Sequence, residues 1–190
     1  IAERTNPWLY IEQIYALYAS YGNKFNWFGF QVGVRGEETV IDANNITRSY
    51  FQLFPSAYLS FELPQANEIQ LNYTRRINRP RGPQLNSYVD RTDPTNVTYG
   101  NPWLMPEYSN NVELNYLKTW NEHTISAGLY YAYTENVIQQ VKKLNEYGIM
   151  ENTYDNINYS HNAGIELTAK NRLFHNYLDL TTNLTGYYYC

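Results

Sequence analysis

The side chains best equipped for chemistry are few and poorly spaced for it. The three histidines, His123, His161 and His175, show no ligand-type spacing, and Glu166 falls out of register with His161 on any single strand face. Glu62, Glu113 and Glu166 lie on separate alternating segments and could approach one another if those segments pair, but solvated carboxylates on a polar wall are the simpler reading. No Ser/His/Asp order, nucleophile elbow or phosphate-cradling glycine loop occurs; Gly148 and Gly164 stand alone. The single cysteine, Cys190, is the last residue and has no internal partner. Catalysis, a metal site and a cofactor are therefore not expected.

Two further constellations invite a functional reading. Arg75, Arg76, Arg79 and Arg81 form a basic cluster where one alternating segment gives way to a long irregular one. Pairing with Glu and Asp on neighbouring strands is the first reading, and capture of an anionic ligand the second. Asn-x-Ser/Thr sequons begin at Asn45, Asn72, Asn96, Asn158 and Asn183, yet chance in a chain with 24 Asn supplies most of them, and Asn72 and Asn183 fall inside strands facing inward. Glycosylation is not expected.

The elements that would carry these residues are strands. The chain has 190 residues, 21 of them Tyr, and the Tyr- and Asn-rich, Ala-poor composition disfavours helix. Apolar and polar residues alternate repeatedly: Leu59, Phe61 and Leu63 against Ser60 and Glu62; Ile69, Leu71 and Tyr73 against Gln70, Asn72 and Thr74; Val112, Leu114 and Tyr116 against Glu113 and Asn115; Ile165 and Leu167 against Glu166 and Thr168. Eight strands are predicted, over 10–22, 25–36, 49–63, 67–77, 108–120, 123–138, 156–170 and 175–190. The net charge of −4 gives no basic field for a polyanion, so nucleic acid is not an expected partner. The longest uncharged runs, such as Ser49 to Phe61, fall short of a spanning helix, so any membrane passage must use strands.

The connections alternate in length. Short turns are predicted at Gly22-Asn23-Lys24, Pro64-Gln65-Ala66, Asn121-Glu122 and Asn171-Arg172-Leu173-Phe174, and long loops at 37–48, 78–107 and 139–155. In an up-and-down meander this puts tight turns on one edge and large loops on the other, the habit of outer-membrane barrels. Tyr21, Phe25, Trp27, Tyr116, Trp120, Phe174 and Tyr177 cluster near the tight turns, as an interfacial girdle would. Leu59, Phe61, Ile69, Leu71, Val112, Leu114, Ile165 and Leu167 are then expected to face lipid. The Pro-rich run 78–107 becomes an outer loop whose Arg79, Arg81, Tyr88, Tyr99 and Trp103 are candidate ligand contacts.

Three motifs in order carry a resemblance. Leu53-Phe54-Pro55-Ser56, then Asn72-Tyr73-Thr74-Arg75-Arg76-Ile77-Asn78-Arg79-Pro80, then Gly100-Asn101-Pro102 with Leu104, Pro106, Glu107 and Tyr108 resemble the barrel of TonB-dependent outer-membrane receptors, and within them the Bacteroidetes-type outer-membrane β-barrel family. The match covers roughly residues 50 to 120, and its motif residues are Arg75, Arg76, Asn78, Pro80, Gly100, Asn101, Pro102, Pro106 and Glu107. Arg81-Gly82-Pro83, Ser87, Trp103 and Met105 depart from the pattern, all within the loop. The resemblance implies an all-β fold, an antiparallel meander of about eight strands cut from a transmembrane barrel of about twenty-two. The whole of 1–190 would be barrel, with the plug domain and remaining strands absent.

It further implies the outer membrane of a Gram-negative bacterium, lipid around the wall, TonB as a partner through the missing plug portion, and a small nutrient as cargo. The alternatives are a self-contained eight-stranded outer-membrane barrel with a structural or adhesive role, and a soluble β-sandwich binding carbohydrate through its tyrosines.

Overall fold

The computed structural model describes residues 8–43, 46–173 and 177–190. The chain is one antiparallel meander of long strands: β1 (Tyr10–Phe25), β2 (Phe28–Ala43), β3 (Ile46–Leu63), β4 (Asn67–Asn78), then a short helix α1 (Gly82–Leu85) and a three-residue strand β5 (Asn96–Thr98), then β6 (Glu107–Trp120), β7 (His123–Leu144), β8 (Met150–Leu173) and β9 (Leu178–Tyr189). Each long strand pairs with its sequence neighbour, β4 with β6 across the longest connection, and β5 joins β8 in parallel. No pairing between β1 and β9 closes the sheet among the described residues. This is the predicted meander, with β5 and α1 added by the long connection.

At one edge the turns are tight. Asn121 enters the β6–β7 turn at φ 47°, a left-handed conformation that asparagine tolerates. Gln65 and Ala66 turn from β3 to β4 at φ 64° and 54°, unfavourable for residues with a Cβ. The Asn67 side-chain amide offsets this by donating to the carbonyls of Pro64 and Gln65.

The strands run further than their alternation indicates. The predicted turn at Gly22-Asn23-Lys24 lies inside β1, and the chain reverses at Asn26-Trp27 instead. Phe25 and Phe28 pair there with parallel rings 6.5 Å apart, so cross-strand aromatic packing overrides the local preference of Gly and Asn for a turn. In the predicted loop 37–48, residues 37–43 and 46–48 are also strand. β2 and β3 stay in register up to Ala43 opposite Ile46, because the polar Glu37 and Thr39 are buried on the inner face and satisfied there. Likewise, most of 139–155 is paired strand, through Leu144 opposite Met150. Of the three predicted long loops only the one between β4 and β6 exists at that length. Phe174, His175 and the sequon residue Asn45, on which other expectations rest, lie outside the described residues.

Candidate functional site

Register converts the alternation into two faces. Directly opposed residues point to the same side of a sheet, so each row of partners shares a face. One row runs Phe30, Leu59, Leu71, Leu114, Leu129 and Ile165 across six strands. The row toward the tight turns runs Phe28, Phe61, Ile69, Tyr116, Ala127 and Leu167, and the row on the other side includes Val32, Ala57, Tyr73, Val112 and Tyr131. All eight residues predicted to face lipid fall on this face. No described residue packs over it: Leu114 and Ile165 remain 42% and 43% exposed. The other face carries Gln31, Tyr58, Asn72, Glu113 and Tyr130 in one row and Ser60, Gln70, Asn115 and Glu166 in rows beside it.

Aromatic rings bound the apolar band at both ends. At the tight turns Trp27, Phe28 and Phe61 pack together, Phe25 stacks on Phe30, and Trp120 packs on His123. Toward the long connection, Tyr131, Tyr133 and Tyr159 surround His161, and the Tyr131 hydroxyl lies 2.7 Å from His161 Nδ1. The second cluster is absent from the sequence reading because its members come from β7 and β8 and meet only through register. About ten residues of β7 separate His123 from Tyr133. At about 3.3 Å each and a tilt of about 40°, they rise about 25 Å, the height of the apolar belt of an outer-membrane barrel. Beyond Tyr133, β7 and β8 continue past the belt as a paired hairpin to Leu144 and Met150.

The long connection, residues 79–106, is folded and fastened across the polar face. Arg79 is its root. Its guanidinium reaches Glu37 Oε2 at 2.6 Å, Thr39 Oγ1 at 3.1 Å and Glu12 at 3.4 Å, tying the loop to β1 and β2. Glu37 and Thr39 are only 4% and 0% exposed, so this charge pairs with a desolvated acid that would be costly to strand alone. From β3, Arg48 donates to the carbonyls of Pro102 and Leu104, both at 3.0 Å, and Leu104 is buried.

On the far side β8 holds the loop. Asn156 accepts from the Met105 amide at 2.8 Å and donates to its carbonyl at 2.9 Å. Asn101 donates to the Tyr154 carbonyl, and Asn152 donates to the Val97 carbonyl. The Tyr99 hydroxyl bonds Glu151, whose carboxyl is held below the ordinary glutamate range by Asn145 and then by Tyr99; the same bond pushes the Tyr99 hydroxyl up. The loop therefore spans the inner face from β1–β3 to β8.

The predicted site residues take different places in this arrangement. Arg79 spends its charge within the wall, and Arg75 lies over the Tyr108 ring, 5.3 Å from its centroid. Arg81 and Tyr88 are exposed on the loop, as is Trp103 at 67%. Gly100 is buried where a Cβ would meet the Gln84 carbonyl oxygen at 2.5 Å, so only glycine lets the loop fold back on α1. Asn101, Pro102 and Glu107 are fasteners: Glu107 accepts from Asn78 and from the Ile138 amide, each at 2.6 Å. Pro80 and Pro106 are buried at the loop's two ends. Arg76 stands exposed on the polar face, its guanidinium in no hydrogen bond or ion pair with the described residues.

The three carboxylates weighed for convergence stay apart: Glu62 pairs with Lys24 at 2.5 Å, Glu113 sits opposite Asn72, and Glu166 opposite Gly128. Arg48, Asn152 and Asn156 were not singled out by the sequence. Arg48 sat at the end of a predicted loop, and an isolated asparagine carries no signal of what it will hold.

A sheet with a continuous apolar outer face, aromatic rims about 25 Å apart and a polar inner face is the wall of an outer-membrane β-barrel. The chain belongs to the outer membrane protein beta-barrel family, whose sequence pattern matches residues 1–190. This places it in the outer membrane of a Gram-negative cell.

Among solved structures it is similar to the FrpB iron transporter of Neisseria meningitidis (F3-3 variant), with a TM-score of 0.69 at 13% identity over 94% of this chain and 26% of that one. It is similar to the copper transporter OprC, with a TM-score of 0.71 at 11% identity over 87% and 27% of the two chains. The ferric enterobactin receptor PfeA of Pseudomonas aeruginosa, as a single-residue mutant, gives 0.71 at 19% identity over 92% and 26%. No curated protein matches the chain in sequence. The resemblance is one of fold, to transporters and a receptor rather than to enzymes, and the chain spans about a quarter of their length.

Proposed function

We propose that residues 1–190 form part of the wall and the folded outer loop of a TonB-dependent receptor that takes up a scarce nutrient across the outer membrane. The supporting observation is the loop 79–106, pinned inward over the polar face by Arg79, Arg48 and Asn156 rather than left free at the surface. A purely structural or adhesive barrel gains nothing from covering its inner face, whereas a receptor needs a shaped, rigid mouth. A soluble sandwich would bury the apolar face that is here left open. In this reading a plug outside these residues fills the lumen, TonB contacts that plug, and the exposed Arg81, Tyr88 and Trp103 remain available to arriving cargo.

Comparing growth of the parent strain, a strain lacking the gene and a strain lacking TonB, in media each limited for one nutrient, tests the proposal. The two mutants should fail together in at least one medium. Loss of the gene without effect in every medium where loss of TonB is harmful would overturn it.

A further inference from the structure

We infer that the outer wall carries a seat for a phosphate-headed lipid of the outer leaflet, in a cleft between β3 and β4, with Arg75 binding the phosphate. The inference needs only that the barrel stands in the outer membrane, not that it takes up a nutrient.

The first observation is that the wall opens there. β3 and β4 pair from the tight turn up to Ser56 opposite Thr74 and no further. Beyond that pair β3 extends to Ile46 against β2 alone, and β4 to Asn78 against β6 alone. Pro55, the first residue of β3 past the last pair, has no N–H to offer a ladder. The parted strands frame a cleft of about 450 Å³ lined by Phe51, Gln52, Leu53, Pro55, Tyr73 and Arg75. Phe51, Leu53 and Pro55 share the face of β3 that carries Leu59, and Tyr73 and Arg75 share the face of β4 that carries Leu71, so the cleft opens toward lipid. Both of its sides are strands in the middle of the sheet. Neither a plug in the lumen nor further strands at the sheet edges would cover it.

The second observation is the charge placed there. On the outer face of β2, β3, β4 and β6 the only cations are Lys118, over the Trp120 ring beside a tight turn, and Arg75. Arg75 lies eight residues along β4 from Asn67, which is about 20 Å up a belt about 25 Å high, where acyl chains give way to headgroups. The tight turns mark the periplasmic side, so this margin is the outer leaflet. Stacking on Tyr108 occupies the face of the guanidinium and leaves the donors at its edge, and no described residue accepts from them. Asn110, opposite Arg75, accepts from the Tyr73 hydroxyl at 3.0 Å, which leaves its amide N–H groups as donors beside the same spot. Glu135, on this face opposite Tyr108, forms no ion pair with Arg75.

The cleft therefore joins a cationic, donor-rich end at headgroup level to an apolar floor, with Phe51 and Leu53 57% and 52% exposed. A free anion would satisfy Arg75 and leave that floor bare. An uncharged lipid would cover the floor and leave a guanidinium unmatched at the edge of hydrocarbon, where a lone charge is costly. A phosphate on an acyl-bearing headgroup satisfies both, the phosphate taking parallel bonds from the guanidinium edge and a chain lying along Leu53 and Pro55.

The test uses the full-length protein in an uncharged detergent, with bound lipid counted by native mass spectrometry. The probes are lipid A with its phosphates, the same lipid A dephosphorylated, and phosphatidylglycerol, with inorganic phosphate as competitor. Phosphorylated lipid A should bind saturably and about tenfold or more tightly than the dephosphorylated form, the step expected for one charge-assisted, two-pronged contact. Inorganic phosphate in equal amount should not displace it. Arg75→Gln should bring phosphorylated lipid A down to the dephosphorylated level, and Arg75→Lys should keep part of the preference. Leu53→Trp fills the cleft from an exposed position and should weaken both forms of lipid A, which tests the seat apart from the packing of Arg75 on Tyr108.

Equal binding of the two forms of lipid A, or an Arg75→Gln protein that keeps the preference, would overturn the inference. So would a Leu53→Trp protein that binds as the parent does, or displacement by equal inorganic phosphate, which would mean an anion site without a lipid. Tighter binding of phosphatidylglycerol than of lipid A would assign the seat to the other leaflet and overturn it as well.

Discussion

Leu71 and Asn72 are adjacent in sequence and opposite in fate, which makes them the sharpest probe of the wall. Leu71 pairs with Leu59 on one side and Leu114 on the other, all on the apolar face, while Asn72 pairs with Tyr58 and Glu113 on the polar one. Leu71 lies four residues along β4 from Asn67 at the tight turn. With a rise of about 3.3 Å per residue and a tilt of about 40°, that is about 10 Å into a belt about 25 Å high, close to the middle. An arginine there pays about 2 to 4 kcal/mol, and near an interface only about 0 to 1. Leu71→Arg in the full-length protein should therefore cost about 2 to 3 kcal/mol, and Asn72→Arg, facing the lumen, should cost about nothing. Unfolding from lipid vesicles in a urea series measures the difference as a shift in midpoint at constant slope. Equal losses at both positions, or a larger loss at Asn72, would mean that the faces are assigned the wrong way round or that the apolar face packs on protein.

The remaining predictions concern sidedness and the loop. With Cys190 replaced by Ser, a cysteine at Tyr147, at the tip beyond the belt, should be labelled by an impermeant reagent in intact cells, while one at Asn121 stays protected; the reverse pattern inverts the topology. Arg48→Ala removes both bonds to the Pro102 and Leu104 carbonyls and should raise hydrogen exchange of the loop amides about tenfold or more, leaving the strands of the belt unchanged. Gly100→Ala, which drives a methyl into the Gln84 and Asn86 carbonyls, should free the loop to protease in the same selective way; resistance equal to the parent would refute the packing. Because Glu151 titrates below its ordinary range when folded, its tie to Tyr99 is fully present at neutral pH and is lost as pH falls through that lowered value. Protease cleavage near Tyr99 should then rise in acid, and Glu151→Gln should differ from the parent at pH 7 and converge with it at low pH.

The belt was legible and the ground above it was not, for one physical reason. Within the belt each strand meets lipid on one side and a wet lumen on the other, so Leu59, Ile69, Leu114 and Ile165 alternate cleanly with polar neighbours. Above it the outer face has no lipid to satisfy and the inner face is buried by the loop, so polarity loses its meaning as a guide to direction. Glu37-Glu38-Thr39 therefore reads as loop and is strand, its polar inner residues buried against Arg79. The same inversion extended β7 and β8 well past their predicted ends. The long loop was found, because five prolines cannot join a ladder, but its order was not. A fastener such as Asn156 is one asparagine among 24 until the register of β8 brings it to Met105.

The basic cluster shows how a single sequence feature divides once strands are placed. Arg75 and Arg76 are neighbours on β4, so pleating sends them to opposite faces, and Arg79 lies beyond the strand end where the chain bends over β2. Position alone assigns the three chemistries: one guanidinium over an aromatic ring, one open to the lumen, one neutralising a buried acid. The two readings of the cluster that the sequence left in competition, ion pairing and ligand capture, thus belong to different residues. Arg79→Ala should destabilise the loop root by removing the loop's tie to buried Glu37 and leaving that acid with Arg35 alone as counter-charge, whereas Arg76→Ala breaks no ion pair among the described residues.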